Sequence, residues 1–280
     1  MSGNLYLIPS PIGNMKDVSP RVQETLLLCD YIACEDTRNT LKLLNILGIR
    51  KKCVSCHEHN ELKISPSIIK DLKNGKNIGY LSDAGYPCIS DPGHLLAKEA
   101  INNNITVVPL SGASAFLNAL VGSGIDPSKF LFYGFLNSKS EDRKKELNNL
   151  KEVPFTVVFY ESPHRIDKTL EDIYEVFGNR KITIARELTK IHEEFIRSTL
   201  KDLVEEKREY IGEMVLIINK YTASEEVSEE LSDEEITKYL NTLLNNGVSS
   251  KDAITSLALL KKTNKNRIKA IYYSLNKDKN

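Results

Sequence analysis

Three stretches of small and hydroxylated residues, each directly after a short apolar run, are the first sign of chemistry in this chain. They are Pro9-Ser10-Pro11-Ile12-Gly13, Ser82-Asp83-Ala84-Gly85 and Ser111-Gly112-Ala113-Ser114-Ala115. Ligands of open α/β sheets bind at the carboxyl ends of strands. Small residues let the backbone approach a ligand, and an acid such as Asp83 can bind an amine or a ribose hydroxyl. The spacing is neither G-x-G-x-x-G nor a P-loop, so an ordinary dinucleotide fingerprint or phosphate cradle has no direct support. One such glycine alone serves a tight turn. Three such loops together favour a ligand site.

Four further clusters carry charge, and one of the chain's segments carries metal-binding groups. Glu35-Asp36-Thr37-Arg38 follows an apolar run; its acids suit a helix N-terminus or proton transfer. In Glu161-Ser162-Pro163-His164-Arg165, Ser162 is expected to cap a helix with Pro163 in its first turn, leaving Glu161 and Arg165 to act. Arg186-Glu187-Leu188-Thr189-Lys190 mixes charges after a strand. Lys139, Arg143, Lys144 and Lys145 form either a solvated helix face or a phosphate-contacting patch. Cys53-Val54-Ser55-Cys56-His57-Glu58-His59 contains the groups of a tetrahedral zinc site. In an extended chain, however, His57 and His59 share a side while Cys53 and Cys56 do not, and no second ligand pair follows. No metal is expected there. The histidines are expected to line a site or bond locally, and the cysteines to be small core residues.

The elements that must position these groups alternate. Short strands are expected at Leu5–Ile8, Tyr31–Cys34, Ile78–Leu81 and Ile105–Pro109. The helices between them start after Ser19-Pro20 and cover Thr40–Leu47, Ile64–Leu72 and Leu95–Asn102, which argues for a mostly parallel α/β sheet. A second unit opens with a helix at Ser114–Leu120. Its strands are Leu131–Tyr133, Thr156–Tyr160, Ile182–Ala185 and Met214–Asn219, with helices at Asp142–Asn149 and His164–Phe177. No long helix follows Ala185, so part of this sheet is expected to be antiparallel. Beyond Tyr221 an acidic run (Glu225, Glu226, Glu229, Glu230, Asp233, Glu234, Glu235) precedes a basic segment with helices at Ala253–Leu260, capped by Ser249 and Asp252, and at Asn266–Leu275. The expected organisation is an α/β domain at 1–112, a second α/β domain with a mixed sheet at 113–221, and an acidic linker with a basic helical extension at 222–280.

Composition limits the alternatives. Of 280 residues 41% are hydrophobic and 27% charged, enough for a core and against bulk disorder. The 38 basic and 38 acidic residues balance, so attraction to nucleic acid must come from local patches. No apolar run is long enough to span a bilayer, and the first residues lack the basic region of a signal peptide. Five cysteines, all in the first third, fit reduced thiols in a cytoplasm rather than a disulfide scaffold.

Taken in order, these segments resemble a known family. They are Leu5 to Asn14 with Asp17, Cys34 to Arg38, His57-Glu58-His59-Asn60-Glu61, Ser82 to Gly85, Ile89-Ser90-Asp91-Pro92-Gly93, Tyr160 to Arg165, Arg186 to Lys190 and Gly212-Glu213. The ordered set, spanning residues 5 to about 220, is similar to the bacterial small-subunit (16S) ribosomal RNA cytidine 2′-O-methyltransferases of the tetrapyrrole methyltransferase-like superfamily. The chain departs from that pattern at Ser10 and Tyr86, both usually Thr, and at Ser111-Gly112-Ala113, which lacks two prolines. Those losses are expected to loosen the loop, and Tyr86 to narrow the cleft.

The resemblance implies two α/β domains with S-adenosyl-L-methionine held in the cleft between them, and a homodimer. It implies cofactor contacts from Pro9, Gly13, Asp83, Ala84, Gly85, Ser111, Gly112, Ser114 and Ala115 of the first loops. From the second domain it adds Phe132, Gly134, Glu161, Ser162 and Leu188. The acceptor would be a cytidine ribose in 16S ribosomal RNA, preferably within the assembled small subunit. Arg38, His57, His59, Glu61, Lys139, Arg143, Arg165, Arg186 and Lys190 are candidates to hold that RNA. Glu35, Asp36 and Glu187 are the candidate bases, with no choice among them. The rivals are a tetrapyrrole-precursor methyltransferase and a non-enzymatic, ribosome-associated RNA-binding module.

Overall fold

A computed structural model of the chain describes residues 2–206, 208–222, 231–260 and 264–277. They fall into two compact units, 1–221 and 222–280.

The first sheet contains β1 (Leu5–Ile8), β2 (Tyr31–Cys34), β3 (Cys53–Ser55), β4 (Ile78–Leu81) and β5 (Val107–Pro109), in the order β3-β2-β4-β1-β5. All its pairings are parallel. Both faces of such a sheet are covered, which is why β2 and β4 are apolar along most of their length and fully buried. Helices α1 (Pro20–Leu28) and α2 (Thr37–Ile46) pack on one face through Val22, Leu26 and Leu44. Helices α3 (Glu61–Lys73) and α4 (His94–Asn102) pack on the other through Ile68, Leu72, Leu96 and Ala100. Ser19 caps α1 by accepting from the Val22 amide at 3.2 Å, an interaction worth about 1 kcal/mol.

The second sheet has the order β6-β7-β10-β8-β9. Its members are β6 (Phe130–Phe135), β7 (Thr156–Glu161), β8 (Lys181–Arg186), β9 (Glu194–Thr199) and β10 (Met214–Ile218). Only β6 and β7 are parallel, so the sheet is mixed. Helix α5 (Ala115–Ser123) covers one face, where Ile12 from the first domain also packs. Helices α6 (Ser140–Leu150), α7 (Ile166–Phe177) and α8 (Leu200–Glu206) cover the other. The short β3, and β9 and α8, do not stand out in the sequence because their apolar residues are few.

Two local expectations need correction. Ser162 and Pro163 do not start α7; they lie in a turn, and Arg165 is the residue before its first turn. The Ser162 amide instead donates to its neighbour Glu161 at 2.7 Å. The second is the acidic run. Asp233, Glu234 and Glu235 form the first turn of a further helix, α9 (Asp233–Asn245), where negative charge suits the positive end of the helix dipole. Ser232 and Glu235 close a capping box there. Glu225, Glu226, Glu229 and Glu230 lie outside the described residues, as do Lys261, Lys262 and Lys279. With α10 (Ser250–Leu260) and α11 (Lys265–Lys277), α9 encloses a small core of Ile236, Leu240, Ala253, Leu257 and Ile268. No helix among the described residues is long and apolar enough to cross a membrane.

Candidate active site

The carboxyl ends of β1, β2 and β4 open onto a cleft faced by the second domain. The cleft has a volume of about 420 Å³, within the usual range of small-molecule sites. Loops of the first domain supply Ile12, Glu35, Asp83 to Tyr86 and Ile89 to Asp91. The second domain supplies Ser114 with Ala115 at the start of α5, Phe135, Tyr160 to Ser162, Glu187, Leu188, Lys190 and Glu213 to Val215. The domains are closely fitted at its rim. A Cβ on Gly13 would stand 2.6 Å from Lys190 Cγ, and one on Gly134 would stand 3.1 Å from Ser90 Oγ.

Of the expected cofactor residues, Asp83, Ala84, Gly85, Ser114, Ala115, Glu161, Ser162 and Leu188 line the cleft. The others support it. Pro9 and Gly112 pack on one another so tightly that a Cβ at Gly112 would be 2.2 Å from the proline ring. Ser111 is exposed beside them. Phe132 lies beneath the wall, stacked on Phe116 at 4.3 Å and set edge-on to Tyr160 at 4.9 Å. Gly134, with φ at +86°, takes the irregularity in the β6–β7 register. In the 111–115 loop the Gly112 amide donates to the Tyr86 hydroxyl at 2.8 Å, so the residue that lines the cleft also braces the loop that lacks the prolines.

The cleft is acidic. Six carboxylates (Glu35, Asp83, Asp91, Glu161, Glu187 and Glu213) face one cation, Lys190. Burial raises Glu35, and Asp83 and Glu58 push it further up against the opposing effect of His57. Burial likewise lifts Asp91 to about 7, reinforced by Glu35, Asp83 and Glu213. Glu161 is fully buried, with Oε1 accepting from the Ser162 amide and from Arg165 Nε at 2.5 Å. Its Oε2 has no hydrogen-bond partner among the described residues. A buried carboxylate oxygen without a donor is costly, and a ligand N–H or O–H would relieve it.

The expected catalytic trio separates. Glu35 and Glu187 line the cleft, but Asp36 does not. Asp36 is the N-cap of α2; hydrogen bonds from the Arg38 guanidinium and amide hold it down at about 2. That makes it a poor base. Glu187 is ion-paired with Lys190 at 2.8 Å in a loop whose Glu187 and Thr189 both have positive φ.

The expected RNA contacts also divide. Arg143 is 2% exposed, paired with Asp172 at 2.6 Å and donating to the carbonyls of Asn137 and Ser138; it ties α6 to α7 and is not a phosphate contact. Glu61 is buried too, its Oε1 accepting from the Leu96 amide to cap the start of α4, so it cannot orient a ribose. Neither role is visible locally, because burial of a charge depends on a partner far away in sequence. Arg165 is spent on Glu161 and the Leu136 carbonyl, and Arg186 on Glu194. Arg38 remains exposed at the surface although it pairs with Asp36, and Lys139 is exposed; His57 and His59 touch edge-on at 5.9 Å. Asp91, Glu213 and Tyr160 join the site although sequence reasoning does not single them out. The only signal for the three is their place within segments of the family pattern.

Fold and cleft thus define an α/β protein built on two sheets, with an acidic, partly apolar cleft between them. A model of the tetrapyrrole (corrin/porphyrin) methylases matches residues 4–204, and the chain belongs to that family. It is similar to the ribosomal RNA small subunit methyltransferase I of Bacillus subtilis, 42% identical over 97% of this chain and 94% of that protein. The protein of the same name from Haemophilus influenzae is 43% identical over 84% of this chain and 85% of its own. Among solved structures, diphthine synthase (TM-score 0.61, 13% identity) covers 79% of this chain and 91% of its own. Thermus thermophilus uroporphyrin-III C-methyltransferase complexed with S-adenyl homocysteine (TM-score 0.57, 15% identity) covers 78% and 97%. Both share the fold.

Proposed function

We propose that this chain transfers a methyl group from S-adenosylmethionine to the ribose 2′-hydroxyl of a cytidine in 16S ribosomal RNA, acting best on the assembled small subunit. The observation that carries the reading is the acidic cleft within a chain alike, over nearly its whole length, to proteins named for small-subunit ribosomal RNA methylation.

The residues present fit the cofactor. Its sulfonium and ammonium charges suit six carboxylates, and the bare Glu161 Oε2 can take one of its donors. Ile12, Leu188, Met214 and Val215 offer an apolar wall. Gly85, with φ at +70° and no atom within 3.5 Å of where a Cβ would stand, leaves space that a side chain would fill. When bound, the sulfonium supplies an activated methyl, so no metal is required. The protein's tasks are to align the ribose oxygen and to take up its proton. Lys190 at the rim, with the exposed Arg38 and Lys139, holds phosphates while the sugar enters.

A tetrapyrrole precursor is a polycarboxylate, and the carboxylates lining this cleft would repel it. RNA keeps its phosphates outside. A nucleotide reaching the cleft must be unpaired or drawn out of its helix, at about a few kcal/mol. In the C-terminal unit Lys265 and Lys269 are exposed and make no ion pair among the described residues, and they extend the phosphate contacts. The protein works as a homodimer in the cytoplasm; its five unpaired cysteines suit a reducing compartment.

The test is transfer of tritium from labelled S-adenosylmethionine to small subunits, naked 16S RNA and a porphyrin precursor, with primer-extension mapping of the product. Label at a ribose of small-subunit RNA is expected. Label on the porphyrin or on a cytosine ring would overturn the reading, and a 2′-deoxycytidine at the target must be inert.

A further inference from the structure

We propose that Asp91 is the general base that takes the proton of the acceptor hydroxyl, an assignment that rests on the proposed function above. Among the carboxylates of the cleft, several are already committed. Asp83 accepts from the Asp36 amide at 3.3 Å and from Asn39 Nδ2 at 2.8 Å. Glu161 is held by Ser162 and Arg165, and Glu187 by Lys190. No hydrogen bond or ion pair to the carboxylates of Glu35, Asp91 or Glu213 occurs among the described residues. Of these three, Asp91 is the one carried on a strained turn, with acids of three other segments acting on it. Glu35 beyond β2, Asp83 beyond β4 and Glu213 ahead of β10 each act on it, Tyr160 of β7 and Cys88 of its own turn feel its charge, and Lys190 is the cation of the same cleft.

The backbone that carries Asp91 is built at a cost. Cys88 and Ser90 have φ of +70° and +60°, a region non-glycine residues rarely enter. Gly93 stands at +112°, and a Cβ there would come within 2.7 Å of the Tyr80 ring. The Cys88 amide closes the turn onto the Pro92 carbonyl at 3.1 Å. Strain of this kind persists where the surroundings fix one conformation, and here it aims a carboxylate into the cleft. A base that ionises near neutral pH is matched to proton transfer better than an ordinary aspartate. In the step, an oxygen lone pair forms the bond to the methyl carbon while the methyl–sulfur bond breaks onto sulfur. The hydroxyl proton passes to the Asp91 carboxylate. The products are a methyl ether, a neutral thioether and a protonated Asp91, which returns its proton to water.

The experiment compares wild type, Asp91→Asn, Asp91→Glu and Glu35→Gln. It measures S-adenosylmethionine binding by calorimetry, single-turnover transfer to small subunits from about pH 5.5 to about pH 9, and carboxyl titration by carbon NMR without ligand. Asp91→Asn is expected to bind the cofactor within about threefold of wild type and to lose about 100- to 10,000-fold in transfer rate, together with the acidic limb of the pH profile. Asp91→Glu keeps the limb and part of the rate. Glu35→Gln moves both the limb and the NMR titration to lower pH, and this arm decides the matter should Asp91→Asn fail to fold. A rate within about threefold of wild type, an unchanged limb in Asp91→Asn, lost cofactor binding, or a limb that Glu35→Gln leaves in place would each overturn the assignment. A wild type that methylates no RNA at all refutes the proposed function instead, and that result is distinct from any of these.

Discussion

Cofactor binding should release a fraction of a proton, and its pH dependence follows from the cleft. Asp91 is raised to about 7 by burial and by the neighbouring Glu35, Asp83 and Glu213. A sulfonium cation favours the ionised carboxylate, so affinity is full above this value and falls as pH drops through it. For a ligand that prefers the ionised form by about threefold, the apparent dissociation constant rises about threefold between the alkaline plateau and about pH 5. Proton release peaks at about one quarter of a proton just below about pH 7. Calorimetry in buffers of different ionisation heat counts these protons directly. S-adenosylhomocysteine, which lacks the sulfonium charge, should show a shallower dependence, and Asp91→Asn should flatten both. Equal affinity on the acidic and alkaline sides of neutrality, with no proton exchange, would refute the electrostatic account of the cleft.

Three other perturbations separate structural from binding roles. Arg143→Ala leaves Asp172 buried without its partner and should cost about 3–5 kcal/mol in denaturant unfolding; unaltered stability with weakened RNA binding would restore Arg143 to the RNA surface. Tyr86→Phe removes the acceptor for the Gly112 amide and should weaken cofactor binding by about two- to tenfold in calorimetry, with little change in melting temperature. Lys265→Glu combined with Lys269→Glu should weaken small-subunit binding and lower its salt slope by about 1 for each phosphate no longer neutralised, leaving cofactor affinity unchanged; equal slopes would remove the C-terminal unit from the RNA interface.

Much of this protein is legible in local sequence. Ser19-Pro20 starts α1 and short, largely apolar runs mark β1, β2 and β4, because capping and the burial of parallel strands are properties of neighbouring residues. The three small-residue loops point to a ligand site for the same reason: each sits directly beyond its strand. The family pattern, read in order, points to the cleft and to the class of reaction. What the sequence by itself could not determine was which charges face one another. Arg143 reads like its solvated neighbours Lys144 and Lys145, and becomes a core residue only because α7 brings Asp172 against it. Glu61 looks like a partner of His57 and His59 until α4 presents an unsatisfied amide to it. Asp36 and Glu35 are adjacent, yet one caps a helix at the surface while the other turns into the cleft. Asp91 becomes the most perturbed acid of the site only when loops beyond β2 and β4 and the approach to β10 converge on it. Coulomb interactions and desolvation act through space, so distant segments decide them, and only the tertiary structure brings those segments together.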